Sequence, residues 1–213
     1  MQLGNDFAYP VLLNLKGRLC VVVGGGQVAA RKLRSLCEAG AQAVVVSPHF
    51  SDELLSVAEE FSCKRIEAAY KKEYLQGAFA VVAATDDVSV NRAVTAAAPF
   101  LCNNITEPEL SNFTVPSSFR QGSMIVALST GGMPAFTRVL KAHLQKFLRP
   151  EYSAFNEFLL EARSVVKKKL LSPRERTLFW RRTLTEEMLE LLDRGALAEA
   201  ENIIQSEIDK ISV

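Results

Sequence analysis

Three consecutive glycines, Gly24-Gly25-Gly26, stand where an apolar run ends and an amphipathic run begins, and no other feature constrains the fold of this 213-residue chain as tightly. Residues 18–23 read as a buried strand. Residues 28–39 read as a helix, with Val28, Leu33 and Leu36 facing one way and Arg31, Lys32 and Arg34 another, and Gly40 stopping it. A chain that leaves a strand through glycine and enters a helix at once opens a βα unit on a parallel sheet. The pattern then recurs. Strands are expected at 43–46, 63–66, 78–84 and 101–103, and helices at 52–61 and 89–97, the latter capped by Asp87 or Ser89 and closed by Pro99. The first half therefore reads as α/β, a doubly wound parallel sheet.

Near residue 114 the pattern changes. Apolar runs at 113–119 and 124–129 flank Arg120-Gln121-Gly122-Ser123, a connection with glycine where a hairpin wants one. A helix is expected from 135 to about 148, ended by Pro150. Beyond it no strand signal remains, and helical stretches cover 154–171, 173–194 and 197–211. The expected organisation is a doubly wound α/β domain at 1–113, a small α/β segment at 114–150 and a helical domain at 151–213.

Charge narrows the partners. Twenty-five Lys plus Arg against twenty-four Asp plus Glu leave a formal charge of +1, so no global field draws nucleic acid or an anionic membrane. Lys167-Lys168-Lys169 and Arg181-Arg182 read as polar faces of helices. No stretch of 18 uncharged apolar residues occurs, and Asp6, Lys16 and Arg18 interrupt the first 20 positions, so neither a membrane span nor a signal segment is expected. The four cysteines, Cys20, Cys37, Cys63 and Cys102, have none of the spacings of a zinc site and read as free thiols of a reduced, cytoplasmic protein. No resident metal is expected.

The glycine cluster continues as Gln27-Val28-Ala29, completing a G-x-G-x-x-A pattern in a strand-turn-helix setting. Gly24 allows the sharp turn, Gly26 lets the backbone approach a pyrophosphate, and the amides of Gln27 and Val28 at the helix start favour an anion. About 20 positions on, where an acidic residue would grip the ribose of NAD, the chain reads Ser47-Pro48-His49, which leaves NAD against NADP open. Thr85 and Asp86 follow the fourth strand, at the sheet edge where open α/β folds hold ligands. Ser129-Thr130-Gly131-Gly132 precede another helix, with Arg138 one turn in. These groups, with Arg120, suit an anionic substrate. A short-chain dehydrogenase is disfavoured, because no tyrosine is followed by lysine four positions later.

Taken together, Tyr9 to Gly17, Val23 to Lys32, Ala83 to Asp87 with Asn91-Arg92, and Ser129 to Gly132 resemble the precorrin-2 dehydrogenases, a family that includes the N-terminal module of siroheme synthases. The resemblance runs through most of residues 7–149. It implies a Rossmann-type domain, a dimerisation segment and a helical domain in a homodimer, NAD as cofactor, and oxidation of precorrin-2 to sirohydrochlorin, with metal chelation in some members.

One departure matters. The acid–base aspartate proposed for the family falls on Thr106 here, beside Glu107 in the segment from Asn103 to Pro108. Threonine cannot act as a carboxylate base, so Glu107, solvent or a slow reaction remain as possibilities, and Asn104 joins the candidates for substrate contact. Chelation needs a base for the pyrrole protons. The candidates are His49 and His143, and His143 reads as a helix-surface residue, so chelatase activity is expected to be weak or absent. A bifunctional enzyme and a non-catalytic NAD-sensing module are the alternatives.

Overall fold

The computed structural model describes residues 8–211, which form two compact units that divide between Val115 and Pro116. In the first unit, β1 (Leu19–Val23), α1 (Gln27–Glu38), β2 (Gln42–Ser47), α2 (Asp52–Glu60), β3 (Lys64–Glu67), β4 (Ala80–Ala83), α3 (Val88–Ala97) and β5 (Leu101–Asn104) alternate as expected. The five strands are parallel, in the order β3-β2-β1-β4-β5. The chain therefore works outward from β1 to one edge and returns to the other side of β1 at β4. Ligands bind outside the strand ends at such a switch point.

Both faces of the central strands are covered, which explains why β1 is a continuous apolar run rather than an alternating one. Val22 packs with Ala29, Ala30, Leu33, Leu54 and Val57 on the α1/α2 face. Val21 and Val23 pack with Leu75, Val81, Val94 and Cys102 on the opposite face. The edge strand β3, Lys-Arg-Ile-Glu, is largely exposed, and its charges discourage pairing with another chain.

The second unit contains a hairpin, β6 (Ser117–Gln121) and β7 (Met124–Leu128), with Gln121 opposite Met124 and a two-residue turn. Gly122 takes φ +55° at the first turn position, as the II′ type requires. Five helices follow: α4 (Pro134–Phe147), α5 (Pro150–Lys169), α6 (Pro173–Thr183), α7 (Glu186–Asp193) and α8 (Leu197–Asp209). The last four enclose a core of Phe155, Val166, Phe179, Leu191, Leu192, Ile204 and Ile208.

Two expectations fail here. Pro150 opens α5, four residues before the expected start, because proline at a first helical position forfeits no hydrogen bond. The stretch 173–194 is two helices. Leu184 is extended, and Thr185 followed by Glu186 and Glu187 is a start signal that apolar periodicity overlooks. Among the described residues no helix is long and apolar enough to cross a membrane.

Of the two proposed caps of α3, Asp87 is the one used. Its Oδ1 accepts from the backbone N–H of Ser89 (2.7 Å) and of Val90 (3.2 Å) and from the Ser89 hydroxyl (2.6 Å). These bonds to the charged form hold its carboxyl below the ordinary value. A depressed folded-state value adds stability that is complete above the unfolded value of about 3.9 and vanishes as pH falls through the folded one. Asp87→Ala should therefore lower the melting temperature at neutral pH, and the deficit should shrink on acidification. A deficit that is constant with pH would assign the loss to something other than the carboxylate.

Candidate functional site

The three glycines perform three different tasks. Gly24 has φ +135°, and a Cβ there would lie 2.2 Å from the backbone oxygen of Ala84, in the loop after β4. A Cβ on Gly25 would lie 1.8 Å from the backbone oxygen of His49, in the loop after β2, and 2.6 Å from the Oγ of Ser47 at the end of that strand. Around Gly26 a Cβ would meet nothing within 4 Å. The turn is thus wedged between its two neighbours, an arrangement tightened by the Gly24 N–H donating to Val46 O (2.9 Å) and the Ser51 N–H donating to Gly25 O (2.8 Å). Gly24 and Gly25 are required by protein contacts, and the open face belongs to Gly26. The sequence reading passed over Gly25, although a third glycine in an unbroken run was a signal that it too lacks room.

Gly26 is the N-cap of α1 and offers no side-chain cap, and the first turn carries no acidic residue. The N-termini of α2 and α3 are instead closed by Ser51 and Asp87. Amides at the start of a twelve-residue helix, its positive dipole end and open space beside Gly26 fit the diphosphate of a dinucleotide. Gln27 is exposed there, and Val28 is half-buried. Ser47 is buried at the end of β2, with Pro48 and His49 exposed after it, all close to the glycine turn.

Across the switch point, Thr85 and Asp86 follow β4. Asp86 is exposed, whereas Thr85 is held by Asn91 of α3. Asn91 Oδ1 accepts from Thr85 N–H (3.1 Å) and lies 2.8 Å from the Thr85 hydroxyl, while its Nδ2 donates to Thr85 O (2.9 Å) and Thr106 Oγ1 (3.1 Å). Asn91 is completely buried, and its hydrogen bonds offset the cost of that burial. One turn on, Thr95 accepts from Asn104 Nδ2 (3.2 Å), so positions i and i+4 of one helix face tie the ends of β4 and β5 together. The sequence alone does not mark Asn91 as a site residue. Its signal was a polar side chain on the apolar face of α3, beside Val94.

The β5 end differs from expectation. Asn104 is buried, and its Oδ1 accepts from Thr106 N–H (3.1 Å), Thr106 Oγ1 (3.0 Å) and Glu107 N–H (3.0 Å). Its side chain holds the loop from within. Thr106 lies between Asn91 and Asn104. Glu107 forms a two-pronged ion pair with Arg92, at 2.8 Å to Nε and 2.6 Å to Nη2. The guanidinium holds the Glu107 carboxyl below the ordinary range, which weakens it as a base.

The remaining candidates belong to the second unit. Arg120 is exposed on β6. After β7, Gly131 (φ +66°) and Gly132 (φ +113°) follow Ser129 and Thr130, and a Cβ on Gly132 would meet nothing within 4 Å. The Thr130 hydroxyl is 3.0 Å from Met133 O and hydrogen-bonds Thr137, closing the start of α4. Arg138 and His143 are both exposed on α4 but stand about 140° apart around its axis, so one ligand face does not carry both. Lys141 donates to Ser118 O (2.7 Å), fastening α4 to β6.

Residues 11–117 match a family model described as NAD(P)-binding, and residues 151–208 match one described as the sirohaem synthase dimerisation region. Siroheme synthases of Nitrosococcus oceani and Nitrosospira multiformis are 32% identical over 204 residues and 36% identical over 214. Each alignment takes in 94% of this chain but only 44% and 45% of the relative, so the chain spans under half the length of these proteins. A solved structure titled SirC, precorrin-2 dehydrogenase, is 28% identical with a TM-score of 0.73, covering 95% of this chain and 100% of its own. With its glycine turn at the switch point of a five-stranded parallel sheet, the chain belongs to the NAD(P)-binding family whose model matches residues 11–117, carries a sirohaem synthase dimerisation region beyond it, and is similar to siroheme synthases and to SirC.

Proposed function

We propose that the chain oxidises precorrin-2 to sirohydrochlorin with NAD as acceptor. The observation that carries this reading is the open, uncapped start of α1 at the switch point, in a chain whose fold matches SirC over that protein's whole length. Bound NAD would supply the hydride acceptor. The α1 amides and Gly26 would hold its diphosphate, Ser47, Pro48 and His49 would be the candidates for its ribose, and Thr85 and Asp86 for its nicotinamide half. Arg120, Arg138 and the Ser129 to Gly132 turn supply donors for the carboxylates of the macrocycle. Extended conjugation in the product favours the forward direction, so the residues have mainly to position substrate against cofactor.

Proton release is assigned to solvent. Thr106 carries no base, and Glu107 is engaged by Arg92 with its basicity reduced. The homodimer is proposed through the second unit, where Phe136, Val139 and Phe147 of α4 are all more than half exposed. The cytoplasm is the proposed compartment, and chelatase activity is proposed to be weak or absent. Thr106 in place of a carboxylate also favours a second reading, a module that binds NAD without turnover.

Anaerobic incubation with precorrin-2 and each nicotinamide in turn separates these readings. NADH and sirohydrochlorin should form together, NADP should serve poorly, and Glu107→Gln should retain at least a tenth of kcat. Binding without reduction would support the sensor, and a loss beyond about 100-fold would restore Glu107 as general base. Gly26→Asp should fold normally, since the site has room and aspartate is a good N-cap, yet lose NAD because its carboxylate meets the diphosphate. Unchanged affinity would displace the cofactor from this turn. Sirohydrochlorin with ferrous or cobaltous ion should show insertion near the uncatalysed rate, and rapid insertion abolished by His143→Ala would make the protein bifunctional.

A further inference from the structure

Cys37 and Cys63, 26 positions apart in sequence, have their sulfurs 3.2 Å apart. Each is brought there by a helix end. Cys37 lies in the last turn of α1. Cys63 follows the end of α2, where Ser62 takes φ +52°, a conformation rarely adopted outside glycine, and the Cys63 N–H donates back to Ala58 O (2.7 Å). The two helices share the core formed by Leu33, Leu54, Val57 and Ala58, so the juxtaposition is built into the packing. Both thiols are half-buried and line a cleft of about 410 Å³ with Ala41, Phe61, Ser62 and Lys64, which admits a small reagent. Cys20 and Cys102 are buried within β1 and β5, and neither lines this cleft.

We propose that Cys37 and Cys63 form a reversible disulfide by exchange with a low-molecular-weight disulfide, RS–SR. Nothing in this proposal rests on the reading of function above. A bond of about 2.05 Å needs the sulfurs to close by a little over 1 Å. The Cys63 thiolate attacks one sulfur of RS–SR, forming a mixed disulfide and expelling RS⁻. The Cys37 thiolate then attacks the Cys63 sulfur, forming the protein S–S bond and expelling the second RS⁻. Two thiols are oxidised, one RS–SR is reduced to two RSH, and the two cysteine protons end on the released thiols. Burial and the hydrogen bond to Cys63 push the Cys37 thiol up to about 12. The same effect makes the exchange slow at neutral pH and faster in alkali. The bridge would staple the C-terminal end of α1 to the edge of the sheet, about 16 Å along the helix from the glycine turn, and so stabilise without touching that turn.

The test treats the purified protein with oxidised glutathione at pH 7.5 and 9, then counts thiols after denaturation and maps peptides. The four thiols should fall to two, the linked peptides should be those of Cys37 and Cys63, and the melting temperature should rise by about 5 °C and return on reduction. Cys37→Ser should stop at a glutathione adduct on Cys63, and Cys63→Ser should yield no bridge. Retention of four thiols, a bridge to Cys20 or Cys102, or a persistent adduct without ring closure in the unsubstituted protein would overturn the proposal. Cys37→Ala replaces the serine variant if the latter folds poorly.

Discussion

The first unit depends on a close backbone approach. The β1–α1 turn can lie between the loops after β2 and β4 only because Gly24 and Gly25 lack side chains, since added carbons would overlap the carbonyl oxygens of Ala84 and His49. That fit fixes the direction in which α1 leaves the sheet. It thereby fixes where the uncapped amides of α1 emerge, which is beside the one glycine of the three with open space around it. A site for a negatively charged cofactor thus arises from packing that itself involves no charge.

On the far side of the switch point the shape is maintained by amides. Asn91 and Asn104, both buried, spend their side chains on Thr85, Thr95, Thr106 and the Glu107 backbone, joining α3 to the ends of β4 and β5. Buried amides tolerate few partial arrangements, because leaving a buried donor or acceptor unpaired costs more than a well-made bond contributes. The loop carrying Thr106 and Glu107 is therefore held as a unit. The Arg92 ion pair is exposed on its guanidinium side and adds orientation more than stability.

Much of this architecture was legible in the chain. The apolar runs of a sheet buried on both faces, the glycine turn, a cap of α3 at Asp87 or Ser89 and the hairpin glycine are local signals, each readable from a few neighbouring residues. The misjudged points were also local but ambiguous. Pro150 can end one helix or begin another, and Thr185 with two glutamates was masked by continuing apolar periodicity. The hydrogen bonds of Asn104 to its own loop were not legible, because strand alternation cannot tell a side chain that faces a cleft from one that turns back on its own loop.

By itself the sequence determined the class of sheet, the position of the anion-favouring helix start and the substitution of Thr106 for a carboxylate, since these follow from residue type and short spacing. Tertiary structure alone decided which glycine faces open space, that Asn91 joins two strand ends, that Arg92 claims Glu107 from 15 positions away, and that Cys37 meets Cys63. Those pairings come from packing helices on a twisted sheet. Such packing brings together residues whose separation along the chain carries no periodic signature.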